Sequence, residues 1–460
     1  MEARYAIRKR QVLEECQGAP EIFEQVIPRL ASFMQPFVQT FHGQVASQHA
    51  NTYVCGLWSN LERKNVESIA YRFGHSRLPL QAFIGWEAWA DDPLRLALRH
   101  QVTRHLGQGD GVLVIDPSAF PKSGRQSVGV ARQWCGRLGK VDNCQVAIYL
   151  GDVSRKGHSL VDQRLFLPKE WTKDTARLDQ TGVPNAYRAY RTRHQLALER
   201  LANNAADWPH SWIAGDDEMG RPYWFRRRLA SLGERYLLAV PSNTAMRDVE
   251  VEPPAHSGRG RRPGRPWHAV AAWSQSLDEA LWQRIAVRDG SKGPLVVEAI
   301  KRRVMSRTHR RQPGAEEMLV VIRYRPRDQH EVVKGDYSLS NAALETPLWE
   351  FARVAKAEHR IEACLQRSKS EAGLADYEVR NWTGWQHHQT LSLLATWFLV
   401  RETARGKKMD PCDDLPADSP GHRDDLTRGV SMRYHAAYAQ GAPEATATQC
   451  ACSPLSLETT

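Results

Sequence analysis

Residues 111–129 read Gly-Val-Leu-Val-Ile-Asp-Pro-Ser-Ala-Phe-Pro-Lys-Ser-Gly-Arg-Gln-Ser-Val-Gly, and the fold turns on this stretch. Val112, Leu113, Val114 and Ile115 form an unbroken apolar run. It is too short for a helix and rich in β-branched residues, which predicts a strand buried on both faces. The run ends in Asp116 and Pro117, so a carboxylate reaches the rim of a core strand. Taken alone, Asp116 reads as a turn opener. The chain repeats the pattern, however: Trp212-Ile213-Ala214-Gly215 runs into Asp216-Asp217-Glu218. Three successive carboxylates repel one another and are costly in a core, so they must be solvated or held by a cation. A third candidate is Glu362, beside Ile361, Cys364, Leu365 and Ser368 at helical spacing, with Lys369 two turns further along the same side.

Composition bounds what such acids can do. The 460 residues can bury a large core and divide into several units. Lys and Arg number 63 against 52 Asp and Glu, and the pI is about 9.3, which favours polyanionic partners such as nucleic acid. No stretch reaches the roughly 18 apolar residues of a membrane helix. The N-terminal Met-Glu-Ala-Arg-Tyr also lacks a signal peptide's apolar core, so a cytoplasmic protein without a membrane partner is expected. The eight cysteines are scattered without a Cys-x-x-Cys pair and read as reduced; Cys450-Ala-Cys452 is weak evidence for a metal.

Along the chain, residues 1–107 read as a helical domain, either a plain one with a charged face or a module that also grips DNA. Ile22, Phe23, Val26, Ile27 and Leu30 keep a 3.6 period, Leu57, Leu61, Val66 and Ile69 continue it, and Leu80 to Leu106 forms a third helical block. Residues 108–245 alternate: strands at 112–115, 126–134, 145–150 and 158–166, a polar helix-compatible stretch at 171–201 broken at Pro184, a strand at 212–214, a basic helix at 221–232 and a strand at 236–240. A meander followed by α/β alternation predicts a mixed sheet with helices on its faces. Residues 246–345 form a basic, β-rich insertion. It has a Pro/Gly/Arg loop at 253–266 and strands at 283–288, 295–299, 318–324 and 332–333. Across 256–312 thirteen Lys or Arg, Arg302 and Arg303 among them, stand against four acids, and Trp267, Trp273 and Trp282 could stack on bases. Residues 346–404 are helical again and carry a basic-aromatic patch, Arg380-Asn381-Trp382-Thr383-Gly384-Trp385-Gln386-His387-His388. Adjacent histidines are poor ligand spacing, so His387 and His388 read as a structural pair. Residues 405–460 read as a disordered tail.

Several separated stretches carry a resemblance. They are Gly129-Val130-Ala131-Arg132-Gln133-Trp134-Cys135-Gly136-Arg137-Leu138-Gly139-Lys140 with Asn143-Cys144-Gln145-Val146, then Arg164-Leu165-Phe166-Leu167-Pro168 with Trp171, then Gly215-Asp216-Asp217-Glu218-Met219-Gly220-Arg221, and Tyr377-Glu378-Val379-Arg380 with Trp382, Gly384-Trp385 and His387-His388. In this order they closely resemble bacterial insertion-sequence transposases of the DDE superfamily, of the insertion sequence 701 group, related to the insertion sequence 4 group. The resemblance spans about residues 50–400. It implies an α/β fold: a ribonuclease-H-like mixed-sheet core, an N-terminal helical domain, and a β-rich insertion between the second Asp and the Glu.

The same resemblance implies that Asp116, Asp216 and Glu362 are the catalytic, metal-holding triad, with spacings of 100 and 146 residues. Asp217 and Glu378 are rivals for the second and third places. The insertion sequence 4 group marks its Glu with a Tyr, an Arg and a downstream Lys. Here Lys369 keeps the last, but Ala355 and Glu358 stand at the Tyr and Arg positions and Arg360 is a possible substitute. Two Mg²⁺ or Mn²⁺ ions suit hard carboxylate oxygens and phosphodiester cleavage. Lys122, Lys140, Arg221, Arg302, Arg303, Lys369, Arg380 and Trp382 are the expected nucleic-acid contacts. The expected partners are double-stranded DNA, as transposon ends and target, and a second copy of the chain in a homodimer on that DNA. A nuclease without strand transfer and an inactive DNA-binding relic are the alternatives.

Overall fold

A computed structural model describes residues 26–409 apart from 60, 257, 261, 289–294 and 325–333. Ile22 and Phe23, the strand expected at 332–333, Cys450 and Cys452, and residues 410–460 lie outside the described residues. Among the described residues, no helix is long and apolar enough to cross a membrane.

The 112–115 run extends to a ten-residue strand, β1 (Val112–Pro121). It pairs antiparallel with β3 (Lys140–Val153), which pairs with β2 (Ala131–Cys135) and β4 (His158–Leu165). On its other side β1 runs parallel to β5 (Trp212–Gly215), and β5 parallel to β6 (Tyr236–Ala239). An antiparallel meander continued by two parallel strands, in the order β4-β3-β1-β5-β6, is the ribonuclease-H-like arrangement. The insertion extends the same sheet. β12 (Lys334–Ser340) pairs antiparallel with β6, followed by β11 (Pro313–Tyr324) and β10 (Leu295–Arg307). β7 (Ala245–Asp248) and β9 (Gln283–Arg288) share the outer edge of β10, and β8 (His268–Ala269) follows β7.

Strand alternation gives the insertion two apolar faces. Val297, Ala299, Met318, Val320 and Ile322 join the main core, whereas Ile300, Val304, Leu319 and Val321 pack with Met246, Val270 and Trp273 in a second cluster. A buried ion pair ties the insertion to the core. The Arg226 guanidinium donates to Glu317 at 2.6 and 3.1 Å, and Glu317 also accepts from Tyr236 Oη and Ser306 Oγ, each at 2.7 Å. Every partner in this group is hydrogen-bonded, the condition under which a buried charge pair is tolerated.

Helices α1 (Val26–Val38), α2 (Gln44–Trp58), α3 (Val66–Arg72), α4 (Arg77–Gly85) and α5 (Asp92–Leu106) form the N-terminal part. They gather around a long C-terminal helix that is buried along most of its length; in chain order it follows α6 (Arg193–Asn204), α7 (Tyr223–Ser231) and α8 (Leu348–Glu371) and is α9 (Trp382–Met409). The polar side chains of α9 reach across to the other elements. Tyr149 Oη donates to Gln389 at 2.6 Å, Gln163 Nε2 to Gln386 at 2.9 Å, and Tyr53 Oη lies 2.8 Å from His388 Nδ1. His387 stacks on Trp89 at 3.5 Å, with its ring nitrogens 3.0 Å from the carbonyls of Ile84 and Trp89.

Several local expectations are corrected. The block from Leu80 to Leu106 is two helices, because the second starts afresh at Asp92-Pro93, where a proline in the first turn loses no hydrogen bond. Residues 126–130 turn rather than extend: Gly129 has φ 75°, Val130 N bonds Ser127 O, and Val128 N leaves for Arg380 O. Residues 171–201 are helical with a break around Pro184, as expected: short helices at Lys169–Thr172 and Thr175–Gln180 precede α6, whose start is fixed by a capping box of Thr192 and Gln195. β7, β8 and β12 were not foreseen, and β10 and β11 are longer than the apolar runs inside them. The tail expected from residue 405 begins as helix, since α9 continues to Met409.

Candidate active site

The last parallel pair between β1 and β5 is Ile115 with Gly215; Asp116 follows within β1 and Asp216 is the first residue beyond β5, so the two stand side by side where the parallel pairing ends. Open α/β sheets bind ligands at such carboxyl ends. Asp116 shares its ladder row with Tyr149, on the sheet face that α8 and α9 cover. α8 lies close because β3 offers no side chain beneath it: a Cβ on Gly151 would collide with Ile361. Lys369 clamps the end of α8 to β1, its Nζ donating to Ser118 Oγ at 2.7 Å, two residues past Asp116. Asp216 caps the short helix Asp217–Gly220 and accepts from Met219 N at 3.0 Å.

The acids of this region couple electrostatically. Burial and the charges of Asp216 and Glu362 push the Asp116 carboxyl up to about 8, against the pull of Lys369. Burial also raises Asp216 to about 7, with Glu218 and Asp217 adding to it and the Met219 N–H holding it back. Asp116 is half-buried. Glu362 lies at the rim, 73 % exposed, with His359 Nδ1 at 3.7 Å.

Sequence reasoning missed Glu358, one turn before Glu362 on the same helix face. Burial holds its carboxyl well above the usual range, followed by the charges of Asp216, Asp116, Asp336 and Glu362. It had counted only as a departure from an Arg position. The i, i+4 spacing to Glu362 was the signal that could have found it. The rivals stand elsewhere: Asp217 is exposed and reaches Arg221 at 3.5 Å, and Glu378 is exposed and accepts from Asn65 at 3.1 Å. Glu218 is engaged by Arg193 at 2.8 Å.

The donor set is hard oxygen, partly desolvated and rich in negative charge, which suits Mg²⁺ or Mn²⁺ better than a soft metal. Among the described residues, no three His, Cys, Asp or Glu side chains already stand close enough to hold one ion, so occupancy would require side-chain rotation.

The expected nucleic-acid contacts divide into two sets. Lys140, Arg221, Arg303 and Arg380 are exposed, the first beside Asp142 at 3.0 Å. Arg302 is committed to Glu250 at 2.8 Å. Lys122 lies over the Tyr377 ring at 3.3 Å and donates to Tyr377 O, and burial lowers its ammonium to about 8. Trp382 is corrected. It is 4 % exposed and stacks on Tyr187 at 5.1 Å, leaving no face for a base. Trp273 is likewise buried in the second apolar cluster.

The family described as DDE superfamily endonuclease matches residues 36–294, a span that contains Asp116 and Asp216 and stops ahead of α8. No curated protein matches the chain.

Proposed function

The chain belongs to the DDE superfamily endonuclease family, and from that premise we propose that it is a DNA transposase of the insertion sequence 701 type. In this reading it binds transposon ends, cleaves phosphodiester bonds and joins the 3′-hydroxyl ends to target DNA as a homodimer on that DNA. The observation that carries the proposal is the placement of Asp116 and Asp216 side by side beyond the Ile115–Gly215 pair, under the glutamates of α8.

Asp116, Asp216 and Glu362 are the proposed catalytic carboxylates, with Glu358 proposed beside them, and together they would hold two Mg²⁺ or Mn²⁺ ions. Such ions supply Lewis-acid charge to a phosphoryl oxygen and a water acidic enough to act near neutral pH. The protein's own part is to concentrate negative charge where that charge is unstable alone. Burial and neighbouring acids push the Asp116 carboxyl up to about 8 and Asp216 up to about 7, so a bound cation would displace protons from them. Lys369, fixed on Ser118, keeps a positive charge at the edge of the cleft for a phosphate. Lys140, Arg221, Arg303 and Arg380 present exposed cations for further phosphates, which position DNA without reading its sequence.

The test uses DNA carrying the ends that flank the reading frame, incubated with the full chain and Mg²⁺. Cleavage and joining are expected, and Asp116→Ala, Asp216→Ala or Glu362→Ala should each abolish both. Pre-cut 3′-hydroxyl ends mixed with plasmid separate transposase from nuclease. Cleavage without any joined product would sink strand transfer, and metal-independent binding with no cleavage would sink the enzyme.

A further inference from the structure

The other face of the sheet holds a second concentration of charge, and it is short of acceptors. The ladder puts Pro117, Ile148 and Arg164 in one row, facing away from Asp116 and Tyr149. Arg164 is 6 % exposed, its Nε has no partner, and its guanidinium makes no hydrogen bond or ion pair among the described residues. It lies over the Tyr187 ring at 3.9 Å. Asp162, two residues earlier on the same strand face, offers no relief. It accepts from Asn204 at 2.8 Å and is shared between Arg95 and Arg200, each at 3.4 Å. The Nε of Arg200 is also buried without a partner. Burial, with Arg200 beside it, lowers the Arg164 guanidinium to about 10.

Arg164 opens onto a pocket of about 200 Å³, lined also by Tyr187, Arg191, Leu196 and Glu199. Arg191 is exposed at the mouth and Leu196 is buried at the floor. Glu199, the acid in the pocket, is engaged by Arg191 Nε at 3.2 Å. A largely buried guanidinium whose Nε has no acceptor is costly, and its planar fork matches phosphate oxygens in pairs. The volume lies below the range of about 300–1,000 Å³ usual for larger organic ligands, so a small anionic group fits best.

We propose that this pocket binds a phosphate group, with Arg164 at its floor, Arg191 at its mouth and Tyr187 as its wall. The group comes either from a DNA backbone or from a free phosphate. The site is separate from the carboxylate cleft, which lies across the sheet.

Calorimetric titration of the full chain with sodium phosphate, at ionic strength held with sodium chloride, tests the proposal. The wild type binds, Arg164→Gln weakens binding at least about tenfold, and Glu199→Gln, which removes the competing carboxylate, tightens it about threefold. Equal affinity in all three proteins, or no binding by the wild type, overturns the proposal. If Arg164→Gln does not fold, the gain in Glu199→Gln still decides. Binding of a blunt DNA duplex identifies the source. A DNA phosphate lowers the slope of log affinity against log salt by about one in Arg164→Gln, whereas an unchanged slope with phosphate binding lost assigns a free anion. Neither arm reads cleavage, so failure here leaves the proposed transposase activity untouched.

Discussion

Asp116 holds its proton to about 8, whereas an unfolded aspartate gives it up near 4. The sign follows from linkage: folding takes up a proton between those values, so this group costs nothing below about pH 4 and opposes stability increasingly as pH rises towards 8. Asp116→Asn should therefore stabilise the metal-free protein by more than about 1 kcal/mol at pH 8 and by nothing measurable at pH 4, allowing for screening on the open side. Urea unfolding at the two values checks this, and an equal effect at both would contradict the shift. A second prediction concerns α8. Glu358→Gln should cost at least as much cleavage as Glu362→Gln, on the order of a thousandfold each; near-normal rates in Glu358→Gln would make it a spectator. The aspartates were legible because an acid directly after an apolar strand is visible in one dimension. Glu358 was not, because its neighbours in space, Asp216 and Asp116, lie far away in sequence.

At the scale of elements, the contact that sets the depth of the cleft is Ile361 over Gly151. Gly151→Ala should destabilise by roughly 1–3 kcal/mol through overpacking, and Ile361→Ala in the same chain should recover part of that loss. A chemical denaturation cycle over the four proteins measures the coupling, and strict additivity would mean that the helix is seated elsewhere. Strands whose apolar residues run together, β1 and β5 above all, could be read directly. β7 and β8 could not, since four and two residues with little alternation become strands only by pairing with β10 and with each other. In α9 the structural reading of His387 and His388 agrees with their burial. Gln386 and Gln389 are buried beside them, and each is matched by a partner distant in sequence, Gln163 and Tyr149, which periodicity along the chain does not reveal.

Across the whole molecule, the insertion and the ribonuclease-H-like core share one sheet and one buried charge pair, so they should unfold together. Glu317→Ala leaves Arg226 buried without its carboxylate and should cost about 3–5 kcal/mol, whereas Arg226→Met with Glu317→Leu should recover most of it. Hydrogen exchange checks the cooperativity: protection should fall in β6, β10 and β11 together, and loss confined to β10 and β11 would mean that the insertion is an independent unit. Asp116 in β1, Asp216 just past β5 and the glutamates of α8 should form one cation site. Calorimetric titration with Mn²⁺ at pH 6 and pH 8, in buffers of different ionisation heat, decides this. Binding should be tighter at pH 8, should release protons, and should be lost in Asp116→Asn; affinity equal at both pH values and unchanged in Asp116→Asn would contradict it.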